Sequence, residues 1–242
     1  MKKVIRIHFL TLLALLAGGL SLALHLWTNT TEDSRGLLNS SHISVWLLLG
    51  LLVLSLAGLV LLCRKLPGSC RFPASPTAAV CAFVAAVGLV IADIREFKAS
   101  EDILITVNFG LGILAALSLC WLGLCRLKGS AGTLLPQVLL NVYFAVHLIV
   151  QYRQWSGEPQ ILLYCFPLLA SVCLMLQCYH RAMASVMGTD LKRYSFLKNA
   201  ALILCCCACP ENWIFYGSMV LWTASDWCVP YVKKENPHEA AQ

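Results

Sequence analysis

The sequence predicts an all-α fold, a polytopic bundle of membrane-spanning helices, and three observations support this prediction. Of the 242 residues, 59% are hydrophobic and 12% are charged, whereas about 25% of the residues in soluble domains are charged. The mean hydropathy is +0.75. The apolar residues also cluster in seven runs long enough to cross a bilayer, which takes about 20 residues of helix. A soluble enzyme, a disordered chain and a secreted disulfide scaffold are therefore disfavoured.

The seven runs fill most of the chain. They predict helices near 5–27, 43–63, 75–96, 103–125, 134–153, 160–180 and 198–224. Together they make one transmembrane domain over 1–227, followed by a short polar tail over 228–242. The short connections predict that consecutive spans are antiparallel neighbours. The first run exceeds the h-region of a signal peptide, which has about 7–15 residues, so we expect it to be retained rather than cleaved.

The distribution of Lys and Arg predicts the orientation of the bundle. Positive residues accumulate in cytoplasmic loops. Of the 18 Lys and Arg residues, six lie on the side of the membrane where the C-terminus is predicted. Twelve lie on the N-terminal side: Lys2, Lys3, Arg6, Arg64, Lys65, Arg71, Arg126, Lys128, Arg181, Lys192, Arg193 and Lys198. The N-terminus is therefore predicted to be cytoplasmic and the C-terminus external, in the plasma membrane. At the predicted external boundary of the membrane the sequence has an aromatic belt, as expected of a membrane interface. It is formed by Trp27, Trp46, Trp155, Trp222 and Trp227.

A weak internal similarity leaves two architectures open. Leu62-Cys63-Arg64 ends the second run and Leu124-Cys125-Arg126 ends the fourth, and Pro76 and Pro136 open the runs that follow. One hypothesis is a leading helix plus three hairpins arranged as parallel repeats, as in some carriers. The other is that apolar hairpins with the same orientation resemble each other by necessity.

Small residues at helix-contact spacing predict close packing of the third and fourth spans. Ala78, Ala82 and Ala86 lie four residues apart on the third span, and Gly112 and Ala116 repeat that spacing on the fourth. Such residues let helices approach closely within lipid. We therefore expect these two spans to be central.

The fifth span carries a polar stripe, formed by Gln137, Asn141, His147, Gln151 and Tyr152. With about 100° between successive residues of a helix, all five fit an arc of about 140°. Polar groups are costly in hydrocarbon, so the stripe should face protein or a water-filled space. Two interpretations remain: the stripe lines a permeation path, or it forms a hydrogen-bond network that holds helices together.

The seventh run is interrupted by Pro210, Glu211 and Asn212. Glu211 lies about 20 Å from Lys198 if the helix rises about 1.5 Å per residue, past the middle of a core about 30 Å thick. Broken helices with an acidic side chain form ion or substrate sites in many transporters. Glu211 and Asn212 are therefore candidate ligands, with His147 or Arg153 as the charge partner. In the alternative, the helix ends at Cys209 and Glu211 lies in a hydrated turn.

The remaining polar and sulfur-containing residues give weaker signals. Cys205, Cys206, Cys207 and Cys209 contain a C-x-x-C spacing, which we interpret as packing rather than redox or metal chemistry. The acidic and basic residues at the end of the third span (Asp93, Arg95 and Glu96) are interpreted as interfacial charges that pair locally. The chain has no HExxH, GxSxG, P-loop or dinucleotide glycine motif. The sequence therefore assigns no catalytic residue, no metal ligand and no cofactor.

Three hypotheses of function follow. The leading one is a small carrier or ion-coupled permease with a polar site between the fifth and seventh spans. That site comprises Glu211, Asn212, Asn141, His147, Gln137 and Gln151. The second is a non-transporting membrane subunit or interaction protein, and the third is an intramembrane enzyme acting on a lipid or quinone. The predicted partners are the lipid bilayer and a small solute or ion, without nucleic acid; the sequence does not identify whether there are protein partners.

Overall fold

The computed structural model describes residues 2–30, 43–64, 66, 74–99, 102–129, 134–155, 161–187 and 191–225. In this part of the chain there are eight α-helices and no strand. The helices are α1 (Lys2–Asn29), α2 (Ile43–Cys63), α3 (Pro76–Ala99), α4 (Ile103–Lys128), α5 (Leu134–Trp155), α6 (Ile161–Met187), α7 (Leu191–Ala208) and α8 (Trp213–Ala224). The predicted all-α class is confirmed.

Five of the helices are long and apolar enough to cross a membrane. They are α1 from His8 onward, α2, α3, α4 and α5. These five indicate a helical membrane protein, as the composition predicts. The predicted seven spans are not confirmed, because neither α6 nor the pair α7 and α8 is among the five that qualify within the described residues.

The seventh predicted run forms two helices instead of one. α7 begins at Leu191, earlier than expected, and ends at Ala208. Pro210 has no N–H to continue the helical hydrogen bonds, and the N–H of Glu211 turns back to the carbonyl oxygen of Ala208, 3.1 Å away. The side chain of Asn212 then caps α8. The break predicted at Pro210 is present, whereas the single span over 198–224 is wrong.

α8 doubles back along the bundle. From α3 to α7 each helix packs against the next across a short connection, so their directions alternate and α7 runs parallel to α3. α8 runs opposite to α3, because Asn212 lies at Glu96 near the end of α3 and Ser218 lies further back, against Gly88. α7 and α8 therefore form a helical hairpin with its tip at residues 209–212. This removes the reason for expecting an external C-terminus; residues 226–242 lie outside the described part.

α7 is the central helix of the bundle. It packs against α1, α2, α6 and α8, and every residue from Lys198 to Cys209 is buried. α3 and α4 do pack closely, as their small residues predict, but each keeps an exposed apolar face. The expectation that these two are the central helices is therefore wrong. The second half of α7, from Ala200 to Ala208, is apolar on all sides, and a helix of this kind is typically buried within a bundle.

The contacts do not reproduce three equivalent hairpins. α4 packs against α5, and α6 packs against α7. Among the described residues, α2 instead makes its main contacts with α1 and α7 rather than with α3. The similarity between the second and fourth runs thus has no counterpart in helix pairing. It is accounted for by shared apolar composition and shared charge at the helix ends.

Candidate functional site

Seven side chains form a closed series of contacts near one end of the bundle, and we call this set the polar ring. It consists of Asp93 and Glu96 on α3, Asn108 on α4, Tyr143 and His147 on α5, and Asn212 and Phe215 on the hairpin. The contact between α3 and α5 is a hydrogen bond of 3.0 Å from the hydroxyl of Tyr143 to Oδ1 of Asp93. Asp93 is only 2% exposed.

Gly112 of α4 makes room for the Asp93 carboxylate. A methyl group at this position would overlap Oδ2 of Asp93 and would lie 3.4 Å from the ring of Tyr143. The lack of a side chain at Gly112 therefore allows α3 and α4 to approach each other with a carboxylate between them.

His147 connects α4, α5 and α8. Its Nδ1 lies 3.3 Å from Nδ2 of Asn108. Its imidazole stacks on the ring of Tyr143, with the ring centroids 5.6 Å apart. It also packs against the ring of Phe215, with the centroids 4.5 Å apart. Because Phe215 is in the first turn of α8, the hairpin closes this side of the ring.

Asn212 closes the other side of the ring through two hydrogen bonds. Its Oδ1 accepts a hydrogen bond of 3.1 Å from the N–H of Phe215 and so caps α8. Its Nδ2 donates one of 3.1 Å to Oε1 of Glu96. Asparagine is among the best N-cap residues, and here the second half of the same amide joins the hairpin tip to α3.

A second group of hydrogen bonds extends the ring toward α6. Nε2 of Gln151 donates to the hydroxyl of Tyr216 at 2.9 Å, and Oγ of Ser171 donates to Oε1 of Gln151 at 3.2 Å. All three side chains are buried. Gln151 thus joins α5, α6 and α8, which is the position expected of a polar group that holds helices together.

Three polar atoms of the ring have no hydrogen-bond partner among the described residues. They are Oδ2 of Asp93, Oδ1 of Asn108 and Nε2 of His147. These three atoms also have essentially no accessible surface, so they are shielded from water in this conformation, whereas Glu96 and Asn212 are half-buried. Unsatisfied buried polar groups are rare, and each calls for an explanation such as a ligand or a functional role.

The structure separates the residues that the sequence assigned to one site. His147 and Asn212 belong to the ring, and Gln151 lies beside it. Gln137 is buried and Asn141 is half-buried nearer the start of α5, and each has amide atoms without a hydrogen-bond partner in the described ranges. Glu211 is exposed at the hairpin tip, outside the ring. Whether these residues bind a ligand remains a prediction.

The polar stripe of α5 is rotated relative to the buried face. The buried face is centred on Leu140, Tyr143 and His147, so Gln137 and Gln151 lie within it. Tyr152 is on the far edge of the predicted arc and is 65% exposed. The large aromatic residues therefore set the rotation of α5 more than the polar ones do.

The two acidic residues on α3 do not have the interfacial position that the sequence predicts. Asp93 is buried instead of interfacial, and Glu96 is half-buried against Asn212. One signal was present: the buried positions Ala82, Ala86 and Leu89 continue to Asp93 in steps of three or four. An acidic residue in line with a small-residue contact face belongs between helices.

The polar groups of α1 and α7 form separate contacts. Nζ of Lys198 donates to Oγ1 of Thr11 at 3.1 Å, and the imidazole of His25 hydrogen-bonds the carbonyl oxygen of Cys207. None of the described cysteines forms a disulfide bond with another described cysteine. Within the described ranges, no group of three or more His, Cys, Asp or Glu side chains is placed to hold a metal ion.

Comparison with known protein families, with curated proteins and with solved structures finds no match to the chain. The class of protein is therefore defined by the fold and the site alone. The chain is a helical membrane protein with a polar ring that contains a buried carboxyl group, Asp93, and a half-buried one, Glu96.

Proposed function

We propose that the chain is a small carrier, an ion-coupled permease, whose coupling site is the polar ring. The observation that supports this most directly is Asp93, which is buried between α3, α4 and α5 with Oδ2 unpartnered among the described residues. Ionisable residues inside membrane helices are costly and mark ion or solute pathways. A purely structural network would be expected to satisfy its polar atoms.

The α7–α8 hairpin provides the moving part in this proposal. It contributes two residues to the ring: Asn212 at the tip contacts Glu96, and Phe215 in the first turn of α8 contacts His147. Discontinuous helices near a binding site occur in many transporters. Displacement of the tip from α3 and α5 opens the ring to one side, and occupation of the ring restores both contacts.

The other predicted residues have roles outside the ring. Gln137 and Asn141 lie nearer the start of α5, and their amide atoms, unpartnered within the part of the chain that the structure describes, provide a polar path toward the opposite end of the bundle. Glu211 is exposed at the tip, where a carboxylate attracts cations that approach the ring. The solute is small or is an ion. In this proposal the N-terminus is in the cytoplasm and the protein lies in the plasma membrane.

The test measures charge movement in proteoliposomes adsorbed on a solid-supported membrane. The probes are concentration steps of sodium, potassium, methylammonium and acetate, and a pH step. At least one probe should give a current that disappears in Asp93→Asn and persists in Asp102→Asn. Asp102 is the matched control because it is a surface carboxylate paired with Arg153 at 3.8 Å, and because Asn retains its N-cap function. If no probe gives an Asp93-dependent current, the proposal fails and the ring is a structural network.

A further inference from the structure

We infer that the coupling ion is a proton, which binds at Oδ2 of Asp93. This inference rests on the proposed function and identifies the ligand of the same site. In the closed ring one carboxylate oxygen is held by Tyr143, and the other faces Gly112 without a hydrogen-bond partner among the described residues.

The lack of space around Oδ2 of Asp93 favours a proton over a metal cation. A metal cation has to exchange its hydration shell for a set of oxygen ligands, and this requires a cavity between them. Oδ2 of Asp93 and Oδ1 of Asn108 have essentially no accessible surface, and Gly112 has no room even for a methyl group beside the carboxylate. A proton adds no volume, so it can bind in the ring without displacing α3 or α4.

The charges around Asp93 also favour a proton. The ring contains no lysine or arginine, and a buried carboxylate without water or a cation is costly. The charged and titratable groups that face this region are Glu96 on α3, Tyr143 and His147 on α5, and Tyr216 on α8. The ion pair of Asp102 with Arg153 is at the surface, and the basic residues Arg126 and Lys128 are at the other end of α4.

The transfer is a simple protonation. With the hairpin tip displaced, a water-borne proton forms an O–H bond at Oδ2, while Tyr143 keeps its own proton and continues to donate to Oδ1. The neutral acid is enclosed when the tip returns. When the ring opens to the opposite side, the same O–H bond breaks and the proton passes to water there.

Gly112 is a positioning residue for this step, and the chain contains a matched control. Gly112→Ala places a methyl group on Oδ2 and forces Asp93 to move. Gly110→Ala, on the same helix, adds a methyl group with nothing within 4 Å. Both variants change helix propensity equally, so a difference between them reports the contact with Asp93.

The deciding experiment is pH-difference infrared spectroscopy of the purified full chain in nanodiscs. A carbonyl band of a protonated carboxylic acid should appear on acidification and shift in deuterated water. It should be lost in Asp93→Asn, change frequency in Gly112→Ala, and remain unchanged in Gly110→Ala. If the band survives in Asp93→Asn, or is unaffected by Gly112→Ala, Asp93 is not the proton site.

A second measurement separates this inference from the proposed function. Thermal unfolding of the wild type and of Asp93→Asn is compared at constant pH with sodium or potassium chloride against choline chloride. No Asp93-dependent stabilisation by either metal ion is expected. Stabilisation by sodium that disappears in Asp93→Asn would overturn the proton assignment and leave the carrier proposal intact. An Asp93 infrared band without any solute or ion current would instead contradict the carrier and leave the proton site intact.

Discussion

The hydroxyl of Tyr143 on α5 donates a 3.0 Å hydrogen bond to Oδ1 of Asp93 on α3, and both side chains are buried. This bond links two helices that do not pack extensively against each other, since α4 lies between them. It also fixes the Asp93 carboxyl group, so that its other oxygen faces Gly112.

Removal of this hydroxyl should destabilise the bundle. Tyr143→Phe leaves both carboxyl oxygens of Asp93 without a donor, and an unsatisfied buried polar group costs about 1–3 kcal/mol. Thermal unfolding in detergent measures the change. The control is Tyr152→Phe on the same helix, where the side chain is 65% exposed and the loss should be close to zero. Equal effects of the two substitutions would show that the Tyr143 bond contributes nothing to stability.

The two functions of Asn212 can be separated by substitution. Asn212→Ala removes the cap of α8 and the bond to Glu96, and loss of a cap alone typically costs about 1 kcal/mol. Asn212→Asp keeps the cap but places a carboxylate against Glu96 where the amide donated. We expect Asn212→Asp to displace the hairpin tip with little loss of α8 helicity. Hydrogen exchange at residues 213–216 and at 93–97 measures this; protection unchanged at both segments would contradict the contact between tip and α3.

Close packing of the hairpin on α3 depends on Gly88. A Cβ atom at this position would lie 3.0 Å from Cβ of Ser218 and would overlap its hydroxyl. Gly88→Ala should therefore lower stability by about 1–3 kcal/mol, the usual cost of overpacking. Ser218→Gly in the same chain should restore part of the loss. Gly217→Ala, with nothing within 4 Å, is the control. A neutral Gly88→Ala would show that α8 does not return along α3.

Substitution of Glu211 tests the role of the break between α7 and α8. Because its side chain is exposed at the tip, Glu211→Gln should leave folding intact. It should raise the cation concentration needed for half-maximal current without abolishing the current. Complete loss of current with a normal melting temperature would instead place the coupling group at the hairpin tip. Unfolding of the variant would indicate that Glu211 anchors a structural contact.

The sequence predicts the helices well because each is a long apolar run with polar or glycine-containing ends. Ile43–Cys63 is predicted with the bounds observed, and Pro76–Ala99 differs by a few residues. The break at Pro210 is likewise visible, because proline and an N-cap asparagine act locally. The polar character of α5 predicts that His147 and Gln151 turn inward.

The direction of the chain after the break could not be predicted, because it depends on distant contacts. Pro210 interrupts a helix whether the next segment continues in the same direction or turns back. The direction of α8 is set by the contact of Ser218 with Gly88 and by the hydrogen bond of Asn212 to Glu96. Asp93 was misjudged for a similar reason. An acidic residue near the end of a span looks interfacial until Gly112 and Tyr143 are known to enclose it.

The role of Asp93 as the coupling residue is tested most directly by the proteoliposome current of Asp93→Asn, compared with the currents of the wild type and of Asp102→Asn. Asparagine preserves the volume of Asp93 and an acceptor for Tyr143, so the variant should fold, with a melting temperature near that of the wild type. If Asp93 is the coupling residue, the current of the active probe is lost in Asp93→Asn and retained in Asp102→Asn. A folded Asp93→Asn protein that carries the wild-type current would contradict this role.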